Sequence, residues 1–317
     1  MDKYTKVAVC SRSFSRNQFL RDELLKKFKH VKFNDDGIEL EGEVLVEFLK
    51  GQDAAIIALE VINEEVLSKL SELKVIGKYG VGLDKLDFKA LHKYGVRLGW
   101  TPGVNALAVA ELALNLSLTI VRKTYISNEV VKKKHWKQIT GKQLSSLTIG
   151  ILGCGHVGTE FLRLLSAFNC NLLICDIIDK SDLCKTYNAT QVSFNKILEK
   201  VDLLSVHLPK KIDTLNIIDN SAISRMKKKS YLVNTARGGI VDELALLDAL
   251  KTEHLAGAAL DVLDKEPPNS YELINHPNCY VTSHIGGSSE EAIIKMGLSA
   301  IDGLVNHQPA KFFEIYK

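Results

Sequence analysis

Residues 147–165 have the sequence LTIGILGCGHVGTEFLRLL, which joins a β-branched apolar run to a glycine-rich turn and then to an amphipathic stretch. The run TIGIL predicts a buried strand, and the stretch after the turn predicts a helix. Between them, Gly153, Gly155 and Gly158 have the GxGxxG spacing. A strand, such a turn and a helix in this order are typical of the first βαβ unit of a doubly wound sheet, so this stretch predicts the fold class.

Short apolar runs alternate with helical patterns on both sides of this turn, as in parallel α/β sheets. Downstream, five further strands are expected at NLLICD, DLLSVHLP, YLVNTAR, LAGAALDVL and CYVTSHI. Upstream, strands are expected at 6–10, 54–59 and 73–80, with helices at 16–28 and 63–70. The sequence therefore predicts an α/β fold with two doubly wound parallel-sheet domains around a cleft, one a Rossmann domain and the other smaller and flavodoxin-like.

The run GVNALAVAELALNLSLTIVRK at 103–123 is apolar nearly all round. We interpret it as a helix buried between domains or subunits, because Glu111, Asn115 and Thr119 interrupt it on different faces and disfavour a membrane span. We expect residues 100–286 to form the Rossmann domain. Residues 1–99 and 287–317 are expected to form the smaller, discontinuous domain, to which the last helix returns.

Composition excludes several classes of protein. The 317 residues are 46% hydrophobic and 25% charged, as in soluble globular proteins, and the net charge of +3 is too small to indicate nucleic-acid binding. The N-terminus MDKYTKVAVC lacks the long apolar stretch of a secretion signal, so we expect a cytoplasmic protein with no membrane partner. The six cysteines form no CxxC pair, which favours free thiols over disulfides or a metal site.

The glycine-rich turn also predicts a dinucleotide site. Glycines permit a tight turn and the close approach of a pyrophosphate, whose charge is stabilised by the N–H groups at the start of the helix. Asp176 follows Gly158 by eighteen residues, at the end of the strand NLLICD, where a carboxylate accepts hydrogen bonds from the adenosine ribose. That carboxylate repels the extra phosphate of NADP, and Ile177 and Ile178 supply no arginine for it. The expected cofactor is therefore NAD.

Three of the later strands end in polar residues that suit catalysis. Arg237 lies in NTARGG, Asp261 and Glu266 lie in DVLDKEPP, and His284 lies in TSHIGG. Ligands of open α/β sheets bind at the carboxyl ends of the strands, so we expect these side chains to converge. Taken singly, each also has a structural interpretation, as a packed histidine, a helix-capping arginine or a loop carboxylate.

The sequence resembles the D-isomer-specific 2-hydroxyacid dehydrogenase family over nearly the whole chain. The resemblance is carried, in this order, by GKYGVGLDKLD, TPGVNALAVAEL, the GxGxxG, HLP, VNTARGGIVDE, ALDVLDKEPP and SHIGG. It implies a catalytic triad of Arg237, Glu266 and His284, and a contact between Asp261 and the nicotinamide carboxamide. Asp264 also precedes the prolines, and only the family pattern favours Glu266 over it.

The same resemblance implies further contacts. On the cofactor side they are the three glycines of the turn and His156, Val157, Asp176, His207, Pro209, Thr235, Ala236 and Gly286. On the substrate side they are Lys78, Val81, Gly82 and Asn105, besides Arg237. Many phosphoglycerate dehydrogenases of similar sequence have arginine where Lys78 stands, and asparagine is usual where Lys85 stands.

Chemistry explains this choice of side chains. Reduction of a 2-keto acid moves a hydride to C2 while the carbonyl oxygen gains a proton. His284 would supply the proton, since its ordinary pKa is near neutrality, and Glu266 would fix its tautomer and raise its pKa. Arg237 would hold the substrate carboxylate or keto oxygen with two hydrogen bonds. The glycines around Val81 and Gly82 would let backbone N–H groups reach the carboxylate.

The sequence thus predicts an NAD-dependent D-2-hydroxyacid dehydrogenase. The first candidate substrate pair is 3-phosphoglycerate and 3-phosphohydroxypyruvate, with Lys78 as the phosphate contact. The alternatives are a hydroxypyruvate or glyoxylate reductase, a reductase of a specialised 2-keto acid, or an NAD-sensing scaffold that resembles the C-terminal-binding-protein corepressors. A homodimer is expected, because the apolar helix at 103–123 needs a covering surface.

Overall fold

The computed structural model describes residues 1–316 and divides into two compact units. One unit comprises Met1–Asn105 and Gly287–Lys317, of which Lys317 lies outside the described residues, and the other comprises Ala106–Gly286. The first boundary therefore lies at Asn105 and not at residue 99, because the long helix that opens the second unit begins at Ala106.

The strands and helices follow one another as the alternating pattern predicts. The strands are β1 (Lys6–Val9), β2 (His30–Phe33), β3 (Ala54–Ile57), β4 (Val75–Lys78), β5 (Arg97–Gly99), β6 (Thr148–Leu152), β7 (Asn171–Cys175), β8 (Ala189–Gln191), β9 (Leu203–Val206), β10 (Ser230–Asn234), β11 (Leu255–Leu260), β12 (Cys279–Val281) and β13 (Gln308–Pro309). The α-helices are α1 (Arg12–Arg16), α2 (Gln18–Lys27), α3 (Gly42–Leu49), α4 (Glu64–Leu67), α5 (Phe88–Lys93), α6 (Ala106–Arg122), α7 (Thr124–Lys132), α8 (His156–Ser166), α9 (Ser181–Tyr187), α10 (Phe194–Lys200), α11 (Asn220–Arg225), α12 (Glu243–Lys251) and α13 (Glu290–Gly303).

The sheet of the first unit has the strand order β13-β5-β4-β3-β1-β2. Its strands are parallel, except that β13 pairs antiparallel with β5. The doubly wound order confirms the predicted fold class. The sequence pattern does not predict β2, β5 or β13, because β5 and β13 have only three and two residues and β2 is half-exposed along its length.

The helix predicted at 16–28 is α2, which begins at Gln18 and ends at Lys27; the short helix α1 before it was not predicted. α1 ends at Arg16, and Asn17 then caps α2 by accepting a hydrogen bond from the N–H of Leu20. An amphipathic pattern does not reveal this break, because a polar residue such as Asn17 also suits the solvent face of a continuous helix.

α13 packs closely on the sheet of the first unit, because glycines lie at the contact both on the strands and on the helix. A Cβ atom at Gly99 would lie 2.0 Å from the carbonyl oxygen of Gly303, and one at Gly77 would lie 2.4 Å from that of Ala300. These distances are far inside van der Waals contact, so only glycine allows the helix to approach the strands this closely. The contact holds the C-terminal helix in the first unit.

Replacement of Gly99 by alanine is expected to lower the free energy of unfolding by about 1–3 kcal/mol, because β5 or α13 must move to accommodate the methyl group. Urea unfolding followed by circular dichroism measures the change. Lys295→Ala is the control, since Lys295 is exposed on α13, and it should change stability by less than about 0.5 kcal/mol. Equal stability of the two variants would contradict the described packing.

The sheet of the second unit is parallel throughout, with the strand order β12-β11-β10-β9-β6-β7-β8. This is the Rossmann order, in which β6 is central and strands are added first on one side and then on the other. β8 is additional to the six predicted strands. Its three residues, Ala-Thr-Gln, carry no apolar run that could have predicted a strand.

α6 is the helix predicted at 103–123, and it packs within the second unit against α8, β10 and β11. Its residues Glu111, Asn115 and Thr119 lie at intervals of four on one face, and not on different faces as predicted; the Thr119 hydroxyl donates to the Asn115 Oδ1 at 3.4 Å. None of the helices within residues 1–316 combines the length and apolarity that a membrane span needs.

Candidate active site

The turn between β6 and α8 contains three glycines, and each has a different role in its structure. Gly153 has φ +90°, and a Cβ there would lie 2.8 Å from the carbonyl oxygen of His207. A Cβ at Gly158 would lie 2.1 Å from the carbonyl oxygen of Gly153, so α8 and the turn pack backbone to backbone. A Cβ at Gly155 would meet no atom of the described residues within 4 Å. Gly155 therefore keeps the outer side of the turn open to a phosphate.

α8 begins at His156, and no side chain caps its N-terminus. The N–H groups of its first turn, which include those of His156 and Val157, have no partner within an α-helix. The helix dipole adds positive potential at this end. The turn therefore has the chemistry that a pyrophosphate requires.

Asp176 follows β7 and lies beside this turn. Its Oδ2 accepts a hydrogen bond from the N–H of Cys154 at 2.7 Å, and its Oδ1 accepts one from the N–H of Ile178 at 2.9 Å. The carboxylate thus braces the glycine-rich turn, and each oxygen keeps a second lone pair for a ribose hydroxyl. Ile177 and Ile178 are exposed and uncharged, so they offer no partner for the extra phosphate of NADP.

Two buried polar atoms at neighbouring strand ends have no hydrogen-bond partner within the described part of the chain. They are the Nδ1 of His207, after β9, and the Oγ1 of Thr235, after β10. Burial lowers the pKa of His207 to about 3, so the ring is neutral, and its Nε2 is 2.9 Å from the Ser205 hydroxyl. Buried polar groups normally have partners, so these two atoms indicate a ligand at this edge of the sheet.

Pro209 and Ala236 use their carbonyl groups inside the protein. The Thr214 hydroxyl donates to the Pro209 carbonyl at 2.6 Å, and the Arg237 Nη1 donates to the Ala236 carbonyl at 2.7 Å. Each carbonyl oxygen keeps a second lone pair, and a contact of Pro209 or Ala236 with the cofactor stays a prediction.

His284 follows β12, and Glu266 lies in the loop after β11. The Nδ1 of His284 and the Oε2 of Glu266 are 2.7 Å apart. The Oε1 of Glu266 accepts a hydrogen bond from the N–H of Leu263 at 2.9 Å, which orients the carboxylate. The carboxylate of Asp264 instead lies 3.7 Å from the ammonium of Lys210. The structure thus pairs the histidine with Glu266.

This pair favours the charged form of both residues. The hydrogen bond that His284 donates to Glu266 raises the pKa of His284 above its ordinary value of 6.5, although burial and the charge of Arg237 oppose the shift. Burial alone would raise the pKa of Glu266, but the hydrogen bonds from His284 and Leu263 hold it below its ordinary value. The pair therefore stabilises the fold fully between the ordinary pKa values of 4.5 for Glu266 and 6.5 for His284. This contribution is lost as the pH rises through the raised pKa of His284, and also as the pH falls through the lowered pKa of Glu266.

Asp261 is a buried carboxylate that shapes the backbone around His284. Its Oδ1 accepts hydrogen bonds from the Thr282 hydroxyl at 2.6 Å and the Ile285 N–H at 2.8 Å, and its Oδ2 accepts one from the Gly286 N–H at 2.8 Å. These bonds maintain His284 at φ +55°, a left-handed conformation that few non-glycine residues adopt. The Oδ2 keeps one lone pair for a further donor such as a carboxamide.

Arg237 lies in the turn after β10, and Asn234 holds that turn. The Asn234 Nδ2 donates to the Arg237 carbonyl at 3.0 Å, and its Oδ1 accepts from the Ala236 N–H at 3.0 Å. A Cβ at Gly238 would lie 1.9 Å from the Leu263 carbonyl oxygen, so this turn and the loop after β11 touch through their backbones. Sequence reasoning selected Thr235, Ala236 and Arg237 from this motif and missed Asn234. An amide directly after the apolar run YLV, at the end of a wholly buried strand, is the signal that could have identified Asn234.

The substrate contacts predicted besides Arg237 lie in the first unit. Val81 and Gly82 belong to the loop after β4, and their N–H groups have no protein partner among the described residues. The Val81 carbonyl accepts a hydrogen bond from the Trp100 Nε1 at 3.2 Å. Asn105 is buried, and its Oδ1 likewise has no partner in that part of the chain. These groups could hold a carboxylate or a hydroxyl.

Lys78 has a different setting from the exposed cation that a phosphate contact suggests. It is buried, and its ammonium donates to the Ala58 carbonyl at 2.6 Å and the Tyr79 carbonyl at 3.2 Å. These bonds tie the end of β4 to the end of β3.

Known proteins are similar to this chain in sequence. The sequence profile "D-isomer specific 2-hydroxyacid dehydrogenase, NAD binding domain" matches residues 114–286. The D-3-phosphoglycerate dehydrogenase of Bacillus subtilis is 34% identical over 233 residues, which cover 73% of this chain and 44% of that protein. The glyoxylate reductase of Thermofilum pendens is 34% identical over 272 residues, which cover 83% of this chain and 80% of that protein. The chain belongs to the D-isomer specific 2-hydroxyacid dehydrogenase family.

The fold comparison agrees with this membership. The glyoxylate reductase of Paecilomyes thermophila superposes with a TM-score of 0.84 at 26% identity, over 96% of this chain and 95% of that one. Residues 114–286 match the NAD-binding domain of this family, so the predicted cofactor NAD is confirmed. The glycine-rich turn, Asp176 and the predicted triad of Arg237, Glu266 and His284 all lie within that segment.

Replacement of Glu266 by glutamine is expected to lower the pKa of His284, because the ring loses its charged partner while an amide of similar size remains. NMR titration of the His284 Cε1 proton measures the pKa, and the spectrum of His284→Asn assigns the signal. Asp264→Asn is the matched control, since it removes a neighbouring carboxylate that faces Lys210. An unchanged pKa in Glu266→Gln would show that the pair does not form in solution.

Proposed function

We propose that this D-isomer specific 2-hydroxyacid dehydrogenase uses NAD to interconvert a D-2-hydroxy acid and its 2-keto acid. The observation that carries the proposal is the 2.7 Å pair of His284 and Glu266, at the carboxyl edge of the sheet that also carries the glycine-rich turn. A histidine held by a carboxylate and placed near a fixed arginine is suited to move a proton to an oxygen that is gaining negative charge.

NAD supplies or accepts the hydride when it is bound. In reduction, the imidazolium of His284 donates its Nε2 proton to the carbonyl oxygen of the keto acid. Glu266 stays ionised and holds Nδ1, so the exchangeable proton is the one on Nε2. In oxidation, the neutral Nε2 accepts the hydroxyl proton. The proton thus moves through His284 while Glu266 keeps its charge.

Arg237 supplies a permanent positive charge at the same edge. Its planar guanidinium can bind the carboxylate of the substrate and the adjacent oxygen with two N–H donors. Asn234 fixes the turn that carries it. This support keeps the arginine ready for the substrate and limits the entropy lost on binding.

Replacement of His284 by asparagine is expected to slow keto-acid reduction by about 10²–10⁴-fold, the usual effect of losing a positioned general acid. Asparagine is the suitable variant because it tolerates the left-handed backbone at φ +55°. The loss of NADH absorbance measures the rate, and fluorescence titration should show unchanged NADH affinity. Reduction at the parental rate would refute the proposed role of His284.

Two candidates for the substrate rest on different observations. The relation to D-3-phosphoglycerate dehydrogenases, together with the cation Lys78, supports 3-phosphoglycerate and 3-phosphohydroxypyruvate as the first candidate. The second candidate is an unphosphorylated acid such as glyoxylate or hydroxypyruvate. It is favoured by the two carbonyl groups that already engage the Lys78 ammonium, and by the relation to a glyoxylate reductase.

The two candidates predict different results with a panel of 3-phosphohydroxypyruvate, hydroxypyruvate, glyoxylate, pyruvate and 2-oxoglutarate. If Lys78 binds phosphate, Lys78→Met should raise KM for 3-phosphohydroxypyruvate roughly tenfold or more, the loss expected for a hydrogen bond between charged groups, and leave KM for hydroxypyruvate unchanged. A preference for glyoxylate or hydroxypyruvate would overturn the phosphate role. NADH binding without turnover on the whole panel would favour the NAD-sensing scaffold.

A further inference from the structure

Glu243 connects the first turn of α12 to the loop that carries Glu266. It is the first residue of α12, directly after the N-cap residue Asp242. Its Oε1 accepts a hydrogen bond from the N–H of Asp264 at 2.5 Å. Asp264 lies two residues before Glu266, so the side chain of Glu243 restrains the backbone that positions the partner of His284.

The loop from 263 to 266 is restrained at three points. Its first N–H, of Leu263, is bound by Glu266 itself, and its second, of Asp264, is bound by Glu243. The Leu263 carbonyl packs against Gly238, where any side chain would collide with it. The Glu243 side chain binds a backbone N–H of this loop from outside it, so it can be altered without changing the loop itself. The Lys210 side chain also comes from outside, but it lies near the Asp264 carboxylate, at 3.7 Å, and not near the loop backbone.

The electrostatic setting of Glu243 is unfavourable for a carboxylate. Burial raises its pKa, and the carboxylates of Asp264, Glu266 and Asp242 raise it further, while the Asp264 N–H opposes them. The nearby thiol of Cys279 is neutral, because burial raises its pKa to about 12. A carboxylate that faces three others costs stability. The hydrogen bond to the Asp264 N–H and the position in the first turn of α12 both oppose this cost.

We propose that Glu243 is a positioning residue for the His284–Glu266 pair: by binding the Asp264 N–H, it holds the loop in the geometry in which Glu266 reaches the Nδ1 of His284. The inference rests on the proposed function for its effect on catalysis. The effect on the pair itself does not depend on any substrate.

The experiment separates the reach of the side chain from its charge. Glu243→Asp keeps the charge but is one methylene shorter, so it loses the Asp264 N–H. Glu243→Gln loses the charge but keeps an acceptor oxygen at the same place. NMR titration of the His284 Cε1 proton should show a lower pKa in Glu243→Asp and a nearly parental pKa in Glu243→Gln. The charged groups that face His284 itself are Glu266, Asp261 and Arg237, and they are the same in both variants.

Glu290 offers a matched control, because it is likewise a glutamate at the first position of a helix, α13, after the N-cap residue Ser289, but it is exposed to the solvent whereas Glu243 is half-buried. Glu290→Asp and Glu290→Gln should leave the pKa of His284 unchanged. With the best keto acid of the panel, Glu243→Asp should lower kcat roughly tenfold, as displaced catalytic groups do, and Glu243→Gln should stay close to the parental rate.

Each other outcome has a definite meaning. A lower His284 pKa in Glu243→Gln but not in Glu243→Asp would overturn the proposal, because the charge would then matter and the reach would not. An unchanged pKa in both variants would also overturn it. A parent protein that reduces no keto acid would refute the proposed function, whereas the titration would still decide whether Glu243 positions the pair.

Discussion

The parallel pairing of β10, β11 and β12 is the constraint on which the site depends. Asn234 pairs in register with Leu260, and Leu260 pairs with Val281, so the three strands end at the same level of the sheet. The segments that follow carry Arg237, Glu266 and His284, which are far apart in sequence. Because buried ladder hydrogen bonds fix the strand ends, the side chains beyond them have little freedom to separate.

Short hydrogen bonds and close backbone contacts also fix the segments that follow these strands. Asp261 joins the end of β11 to the three residues around His284, and the contact of Gly238 with Leu263 joins the turn after β10 to the loop after β11. The left-handed backbone of His284 and the crowded carboxylate of Glu243 are locally unfavourable. The surrounding hydrogen bonds offset these costs, as is usual where a site is organised before its ligand binds.

The sequence predicts the parts of this molecule that rest on strong local patterns. The spacing of glycines and of Asp176 predicts the dinucleotide-binding turn, and continuous apolar runs predict the long buried strands. Both patterns are local, because glycine conformation and core burial act on a few adjacent residues. The convergence of Arg237, Glu266 and His284 is predicted because ligands of open α/β sheets bind at the carboxyl ends of the strands. The choice of Glu266 over Asp264, however, required the family pattern. A homodimer and the substrate contacts stay predictions.

The sequence does not predict features that depend on distant contacts. β8 and β13 exist because a neighbouring strand offers hydrogen bonds, not because their residues favour a strand. The burial of Lys78 depends on the carbonyl groups of Ala58 and Tyr79, and the bracing role of Asp261 depends on a turn that begins some twenty residues later. Such contacts leave no period or motif in the sequence, so only the folded chain reveals them.

The pH dependence of the reaction in both directions tests the central claim most directly. With the substrate pair that the panel identifies, kcat/KM for reduction should fall as the pH rises through the His284 pKa, because the acid is lost. For oxidation, kcat/KM should fall as the pH decreases through the same value, because the base is lost. The predicted result is that the two pH profiles of kcat/KM slope in opposite directions about the same midpoint pH. Both pH dependences should be absent in His284→Asn. If kcat/KM changed with pH in the same direction for reduction and oxidation, or if the pH dependence persisted in His284→Asn, the assignment of the proton to His284 would be contradicted.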